Sequence, residues 1–249
     1  VVQHDKGLKL IHTLEEKKQL LQQLGVDLLV VQPFNEAFAQ LTAEEFVSSI
    51  LVQRLNVKKV IIGYDHRFGR NRTANIDDMR LFGKKYGFAV EEISVQEVDE
   101  VSVSSTKIRE ALNKGDVTTA EHYLGTPYSL TGRVVHGLKL GRTLGYPTAN
   151  IQVTEDYKLI PKDGVYAVYS YIGGRKVYGM MSIGKNPTIE GKGASIEVYF
   201  FDFNSNLYDQ KLTIEFVQYL REEQKFATID LLKKQLQDDE TAARKAIAV

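Results

Sequence analysis

An α/β half built on a doubly wound parallel sheet, followed by a small antiparallel β-barrel and a terminal helix, is the fold class this sequence predicts. Three observations carry it. Helical and strand patterns alternate through residues 1–127. From residue 128 onward they give way to short alternating strands bounded by turn signals. An amphipathic run, "TIDLLKKQLQDDETAARKAI", then finishes the chain.

The elements follow in order. "HTLEEKKQLLQQLG" opens with a capping box, Thr13 with Glu16, and closes at Gly25. "VDLLVVQPF" is a continuous apolar run, the pattern of a buried parallel strand. "LTAEEFVSSILVQRL" repeats the helical design with Thr42 and Glu45, and "VKKVIIGYD" is the next strand. "NIDDMRLFGKKYG" reads as a helix stopped by Gly87, with "FAVEEISV" a further strand. This alternation predicts a parallel sheet with ligands bound beyond the strands' carboxyl ends, here "QPFN" and "GYDHRFGRNR". A helical pair closes the half, with Gly115 ending one helix and Asp116 capping the next.

"TPYSLTG" reads as the junction between two domains, residues 1–127 and 128–249, the second expected to fold and act alone. Beyond it, "GVYAVYSYI" and "RKVYGMMSIG" flank Gly173-Gly174, a two-residue hairpin turn. "SIEVYFFDF" and "KLTIEFVQYL" are two more strands. Short antiparallel strands in this number point to a small closed barrel.

Lys+Arg and Asp+Glu are both 32, so no bulk charge draws the chain to nucleic acid or to an anionic membrane. Neither is expected as a partner. Cysteine is absent, which excludes disulfides, a thiolate metal site and a Cys nucleophile, and fits a reducing, cytoplasmic location. The longest apolar runs are far shorter than a membrane span.

Four stretches can carry chemistry. In "TGRVVHGLKLGRTLGYPTANI", Gly132, Gly137, Gly141 and Gly145 expose backbone amides, and His136, Lys139 and Arg142 add donors or charge. Thr148 and Asn150, two apart in an extended segment, share a face and suit a hard cation that keeps its waters, as Mg²⁺ does. The alternative is a barrel loop whose polar groups are satisfied within the fold. Glu197 alternates with Ile196 and Val198 and shares its face with Tyr199 and Phe201. It is either a general base for a substrate hydroxyl or a solvated strand residue. In "SVSSTKIRE", Ser104, Ser105 and Thr106 lead into a helix with Lys107 and Arg109 in its first turn. Cations there oppose the helix dipole unless an anion binds, and a plain Ser/Thr cap is the other reading. "GYDHRFGRNR" places Arg67, Arg70 and Arg72 after a buried strand, as phosphate binders or as a solvated basic loop.

Taken jointly, these motifs resemble the bifunctional bacterial riboflavin kinase/FAD synthetase family over essentially the whole chain. The second half resembles its riboflavin kinase module through "GRVVHGLKLGRTLGYPTANI", "GVYAV", "IGKNPTI", "IEVYFFDF" and "LYDQKLTIEFVQYLREEQKF". The first half resembles its FMN adenylyltransferase module, a Rossmann-like nucleotidyltransferase, through "GYDHRFGRNR" and "SSTKIREAL". His66 stands where the family usually has an aromatic residue. The family's module begins with a His-x-Gly-His segment that does not occur here, so by resemblance the adenylyltransferase site in this stretch of chain is expected to be incomplete.

The resemblance implies roles. Gly132, Gly137, Lys139, Gly141 and Arg142 would cradle ATP phosphates, Thr148 and Asn150 would hold Mg²⁺, and Glu197 would take the proton from the riboflavin 5′-hydroxyl. Ser104, Ser105, Thr106 and Arg109 would bind phosphate, while Asp65, Arg67, Phe68 and Arg221 would meet the flavin. Riboflavin, FMN and ATP are the implied substrates. Three functions stand: the bifunctional enzyme, a kinase with a non-catalytic first domain, and a flavin- or nucleotide-binding module without chemistry.

Overall fold

The structure, a computed structural model, describes residues 7–93, 97–98, 101–137, 140–185 and 194–247. The chain forms two compact units. One holds residues 26–102; the other joins Leu8–Gly25 to Val103–Val249. These units do not coincide with the expected division at residues 127 and 128. Leu8–Gly25 carries α1 (Leu14–Gln23), whose capping-box residue Glu16 is buried and bonds to the Thr131 amide. Helices α5 (Ser105–Lys114) and α6 (Val117–Leu124) bury Ile108, Leu112 and Val117 in one cluster with the barrel core.

In the first unit, α2 (Glu36–Ala39) and α3 (Ala43–Glu45) precede a π-helical stretch, Phe46–Arg54. Its i→i+5 bonding stacks Phe46 over Leu51 and Val47 over Val52, and all four pack on the core. Strands β1 (Lys59–Gly63) and β2 (Ala89–Ile93) pair in parallel, and α4 (Ile76–Tyr86) forms the crossover. Asn75 and Asp78 box the start of α4, and Gly87 ends it at φ 79°. The strand expected at "VDLLVVQPF" is not formed. Leu28 is 76% and Phe34 61% exposed, and among the described residues no strand lies beside this run to take its hydrogen bonds. A short antiparallel pair, β3 (Glu97–Val98) with β4 (Val101–Ser102), completes this unit.

The second unit is a closed six-stranded antiparallel barrel, as expected. Two strands the sequence pattern did not single out, β5 (Ser129–Val135) and β6 (Ala149–Gln152), join β7 (Gly164–Ile172), β8 (Arg175–Lys185), β9 (Ala194–Phe200) and β10 (Lys211–Arg221) in the order β10-β5-β6-β9-β8-β7. Strand β10 pairs with both β5 and β7 and so closes the ring. The β7–β8 turn is Gly173-Gly174 at φ 58° and 80°, the left-handed pair such a hairpin needs. Leu130, Tyr166, Met181, Ile183, Val198 and Ile214 fill the interior. Most of β7 is buried on both faces, because α8 (Ile229–Ile247) lays Leu236, Ala243 and Ile247 over Ala167 and Met180 outside the barrel. No helix among the described residues is long and apolar enough to cross a membrane.

Candidate active site

Ile196 and Val198 point into the barrel core, which turns Glu197 between them to the outer face. Strand register then builds a cluster around it. Asn150 of β6 lies opposite Glu197 on one side, and Ser182 of β8 on the other. The Thr148 hydroxyl donates to Glu197 Oε2 at 2.9 Å, and the Ser195 hydroxyl donates to Oε1 at 3.3 Å. Both carboxylate oxygens are therefore oriented by hydroxyls. Thr148, Asn150 and Glu197, picked out of separate motifs, meet in one place.

The glycine-rich segment folds over this cluster. A Cβ at Gly137 would lie 2.3 Å from Asn150 Nδ2 and 2.5 Å from Oδ1, so the Asn150 carboxamide rests against bare backbone. Beyond it comes the short helix α7 (Leu140–Thr143). The Gly141 carbonyl accepts from the Leu144 and Tyr146 amides at 3.1 and 2.8 Å, closing a turn that delivers Pro147 and Thr148. Tyr146 is buried with its ring 5.0 Å from that of Tyr199. Burial, then the Glu240 carboxylate, raises the Tyr146 pKa; the same two causes raise that of Tyr199. Both phenols are neutral donors at physiological pH.

A cavity of about 390 Å³ opens beside Thr148, lined among others by Arg142, Phe200, Asn206 and Tyr208. His136 sits at 3.9 Å from the Tyr208 ring. Gly132 lies elsewhere: it is buried in mid-strand β5 opposite Leu212, where its amide serves the sheet. Lys139, and residues 186–189 of "IGKNPTI", lie outside the described residues.

The donor set at the cluster is a hydroxyl, a carboxamide and a carboxylate, all hard oxygen ligands. Among the described residues no group of three or more His, Asp and Glu could hold a metal. The site thus lacks an all-protein cage and fits a cation that shares its shell with phosphate oxygens and water, the habit of Mg²⁺.

The remaining candidates divide between the units. In the first, Asp65 and Arg67 are exposed, while Phe68 is buried beside Phe46 and Phe82 with the His66 ring stacked 6.5 Å away. The Arg70 amide donates to the Leu41 carbonyl at 2.7 Å, and Asn71 and Arg72 take left-handed φ of 59° and 55°. In the second, Ser104 caps α5 by accepting from the Lys107 amide at 3.3 Å, followed directly by Ser105 and Thr106. Arg109 Nε donates to the Lys9 carbonyl at 2.9 Å. Arg221 makes a two-pronged pair with Asp239, both bonds 2.6 Å, which places it on α8 rather than beside Glu197. Ser195 and Ser182 escaped the sequence reading. Ser195 had a signal, lying two residues before Glu197 on the same strand face.

Two family models match: "FAD synthetase" over residues 1–107 and "Riboflavin kinase" over residues 124–247. Curated relatives are named bifunctional riboflavin kinase/FMN adenylyltransferase. That of Pseudomonas fluorescens is 43% identical over 221 residues, covering 88% of this chain and 70% of the relative. That of Haemophilus influenzae is 40% identical, covering 93% and 75%. The Escherichia coli K12 protein is 37% identical, covering 96% and 76%. A solved structure described as a macrolide-efflux protein from Streptococcus pneumoniae superposes with a TM-score of 0.85 at 35% identity, over 94% of this chain and 75% of that one.

Proposed function

The chain belongs to the bifunctional riboflavin kinase/FMN adenylyltransferase family, and from that premise we propose that it converts riboflavin to FMN and FMN to FAD, with ATP as co-substrate in both steps. The observation that carries the kinase half is the 2.9 Å bond between Thr148 and Glu197 in strands that also set Asn150 against Glu197. A hydroxyl, a carboxamide and a carboxylate so gathered can neutralise a phosphate-bound cation and activate an alcohol.

In the first step the Glu197 carboxylate accepts the proton of the riboflavin 5′-hydroxyl as its oxygen bonds to the γ-phosphorus of ATP. The bond from that phosphorus to the bridging oxygen breaks, and ADP leaves. A neutral alcohol is a poor nucleophile and gains from such a base. The rest of the work is positioning and charge. Mg²⁺, held by Thr148 and Asn150, supplies positive charge against the phosphate oxygens when bound. Gly137 and Gly141 offer backbone amides, and Arg142 offers charge at the mouth of the cavity. Thr148 and Ser195 keep the carboxylate aimed.

In the second step the nucleophile is the FMN phosphate, already anionic, so no base is required. One of its oxygens bonds to the α-phosphorus of ATP and pyrophosphate leaves. Asp65, Arg67 and Phe68 of the first unit are proposed to meet flavin. Separately, Ser104, Ser105, Thr106 and Arg109 of the second unit are proposed to bind phosphate. Arg221 serves the flavin in the first step by fixing α8. The cytoplasm, a reducing compartment, is the proposed location. No observation on this chain favours the transport named for the pneumococcal neighbour.

Incubation of the protein with riboflavin, ATP and Mg²⁺, with flavins separated by chromatography, tests the reading. The bifunctional reading expects FMN followed by FAD, whereas the His-x-Gly-His motif that does not occur in these residues leads to an expectation of FMN alone. FMN without FAD leaves a kinase alone, and neither product rejects the proposal.

A further inference from the structure

We infer that Arg244, in the last turn of α8, is a positioning residue for the nucleotide, acting through Asp202 on the loop that lines the cavity beside Thr148. The inference rests on the kinase reading above, with ATP in that cavity. The loop follows β9. Its residues Phe203, Asn206 and Tyr208 line the cavity, and Leu207 near its far end is buried in the barrel core. At its near end the Phe201 amide donates to the Tyr178 carbonyl at 2.8 Å. Between these two anchors the chain turns at Asp202, whose φ of 53° is left-handed although the residue is not glycine. A residue with a Cβ is strained there and stays only where its surroundings hold it.

Arg244 supplies the hold. Its Nη1 and Nη2 donate to the two Asp202 carboxylate oxygens at 3.0 and 3.4 Å. Two further contacts fix the guanidinium: it lies 4.4 Å from the centre of the Phe201 ring, and its Nε donates to Glu240 at 2.9 Å. A planar fork so oriented loses little freedom on meeting a carboxylate. A second cavity, of about 240 Å³, borders Asp202, Phe203 and Arg244. The turn has open space on that side, and the ion pair spans it where packed side chains do not. The helix is tied in its turn to β10 by Asp239 and Arg221, so the loop takes its place from the barrel wall through α8. Arg244 does not line the cavity beside Thr148, so its effect reaches the chemistry through where Asp202 holds the loop.

Three variants test this. Arg244→Gln removes the charge, and Arg244→Lys keeps the charge without the fork. Asp202→Gly removes the carboxylate at a φ that glycine adopts freely. Arg244→Gln and Asp202→Gly are each expected to raise the KM for ATP about two- to fivefold, the scale of an exposed ion pair. The KM for riboflavin and the melting temperature should change little. Arg244→Lys should recover part of the loss, and Arg244→Gln combined with Asp202→Gly should be no worse than either alone. Hydrogen exchange supplies a readout independent of turnover. The Tyr208 and Asp209 amides, bonded to Asn206 Oδ1 and the Val134 carbonyl at 3.0 and 2.9 Å, should exchange faster in both variants. Unchanged exchange or a normal KM for ATP overturns the inference, as does an equal rise in both KM values with a lowered melting temperature. If the parent protein makes no FMN, the kinase reading fails by itself, and exchange still decides whether Arg244 holds the loop.

Discussion

The Lys158 ammonium meets the Glu16 carboxylate at 2.6 Å, across 142 residues of sequence, with both side chains sealed from water. Lys158 also donates to the Ile11 carbonyl at 2.7 Å and lies 4.6 Å from the Tyr128 ring centre. Glu16 accepts from the amides of Thr13 and Thr131 at 2.9 and 3.0 Å. Burial lowers the Lys158 pKa, and Glu16 acts against that shift. Lys158 thus has two oxygen acceptors and a ring face, and Glu16 has three donors, the full set of partners that a buried ion pair needs.

Breaking this pair from either side should be severe. Glu16→Gln or Lys158→Met is expected to cost about 3–5 kcal/mol, the range for stranding one buried charge. Glu16→Leu combined with Lys158→Met should recover much of that. Denaturant unfolding of the three proteins checks it, and single variants within about 1 kcal/mol of the parent would contradict it.

Residues 128–249 alone would leave Lys158 without both of its oxygen partners, Glu16 and the Ile11 carbonyl. The isolated segment is expected to melt well below the barrel of the whole chain, and Lys158→Met should raise its melting temperature. A segment that matches the whole chain without that change would show that Leu8–Gly25 contributes nothing to the barrel.

His12 adds a pH dependence. Burial first, then the Lys158 charge, lowers its pKa from 6.5. The unfolded chain therefore binds a proton there before the folded one does. The stability that a neutral His12 lends is whole above pH 6.5 and is lost as pH falls below it. Thermal melts between neutral pH and mild acid should show this decline, and His12→Asn should flatten it. An unchanged slope in the variant would assign the decline to other groups.

Gly137→Ala should displace the Asn150 carboxamide, since the new methyl would sit within 2.5 Å of it. The expected result is a higher KM for Mg²⁺·ATP with a nearly normal melting temperature. A fully active Ala variant would show that Asn150 has no fixed position to lose.

Glu197→Gln is expected to lower kcat by roughly 10²–10⁴-fold, the usual loss for a general base, with ligand affinities little altered. Thr148→Val should instead weaken Mg²⁺·ATP use more than riboflavin binding, because it keeps the shape and removes the hydroxyl. Near-normal turnover in Glu197→Gln would leave the reaction to charge and positioning alone.

Local chemistry made much of this legible before any coordinates. Thr13 with Glu16, Thr42 with Glu45 and Gly87 mark helix ends because they satisfy orphan backbone groups close in sequence. Gly173-Gly174 announces its hairpin in the same way. Thr148, Asn150 and Glu197 stand out in the sequence as candidates, the first two by their spacing after a glycine-rich segment and the third by its place among apolar strand residues, and the fold brings them together. What stayed hidden depends on distant partners. Glu16 reads as a cap, and nothing nearby says that Lys158 will also claim it. Arg221 is a flavin contact by resemblance, and nothing near it in sequence names Asp239 of α8 as its partner. Phe68 reads as part of a basic loop, and only the fold sets Phe46 and Phe82 against its ring. The run from Val26 to Phe34 is apolar enough for a buried strand, but apolarity does not supply the neighbouring strand that burial needs.

The closing role of β10 sets an order on synthesis. A chain emerging from the ribosome presents β5 through β9 before Lys211 exists. Until the last strand arrives, β5 and β7 are two open edges with unpaired amides and carbonyls, and the apolar lining between them faces water. A chain halted there offers its edges to any second copy, so the nascent protein passes through its most self-adhesive state just before the ring can shut.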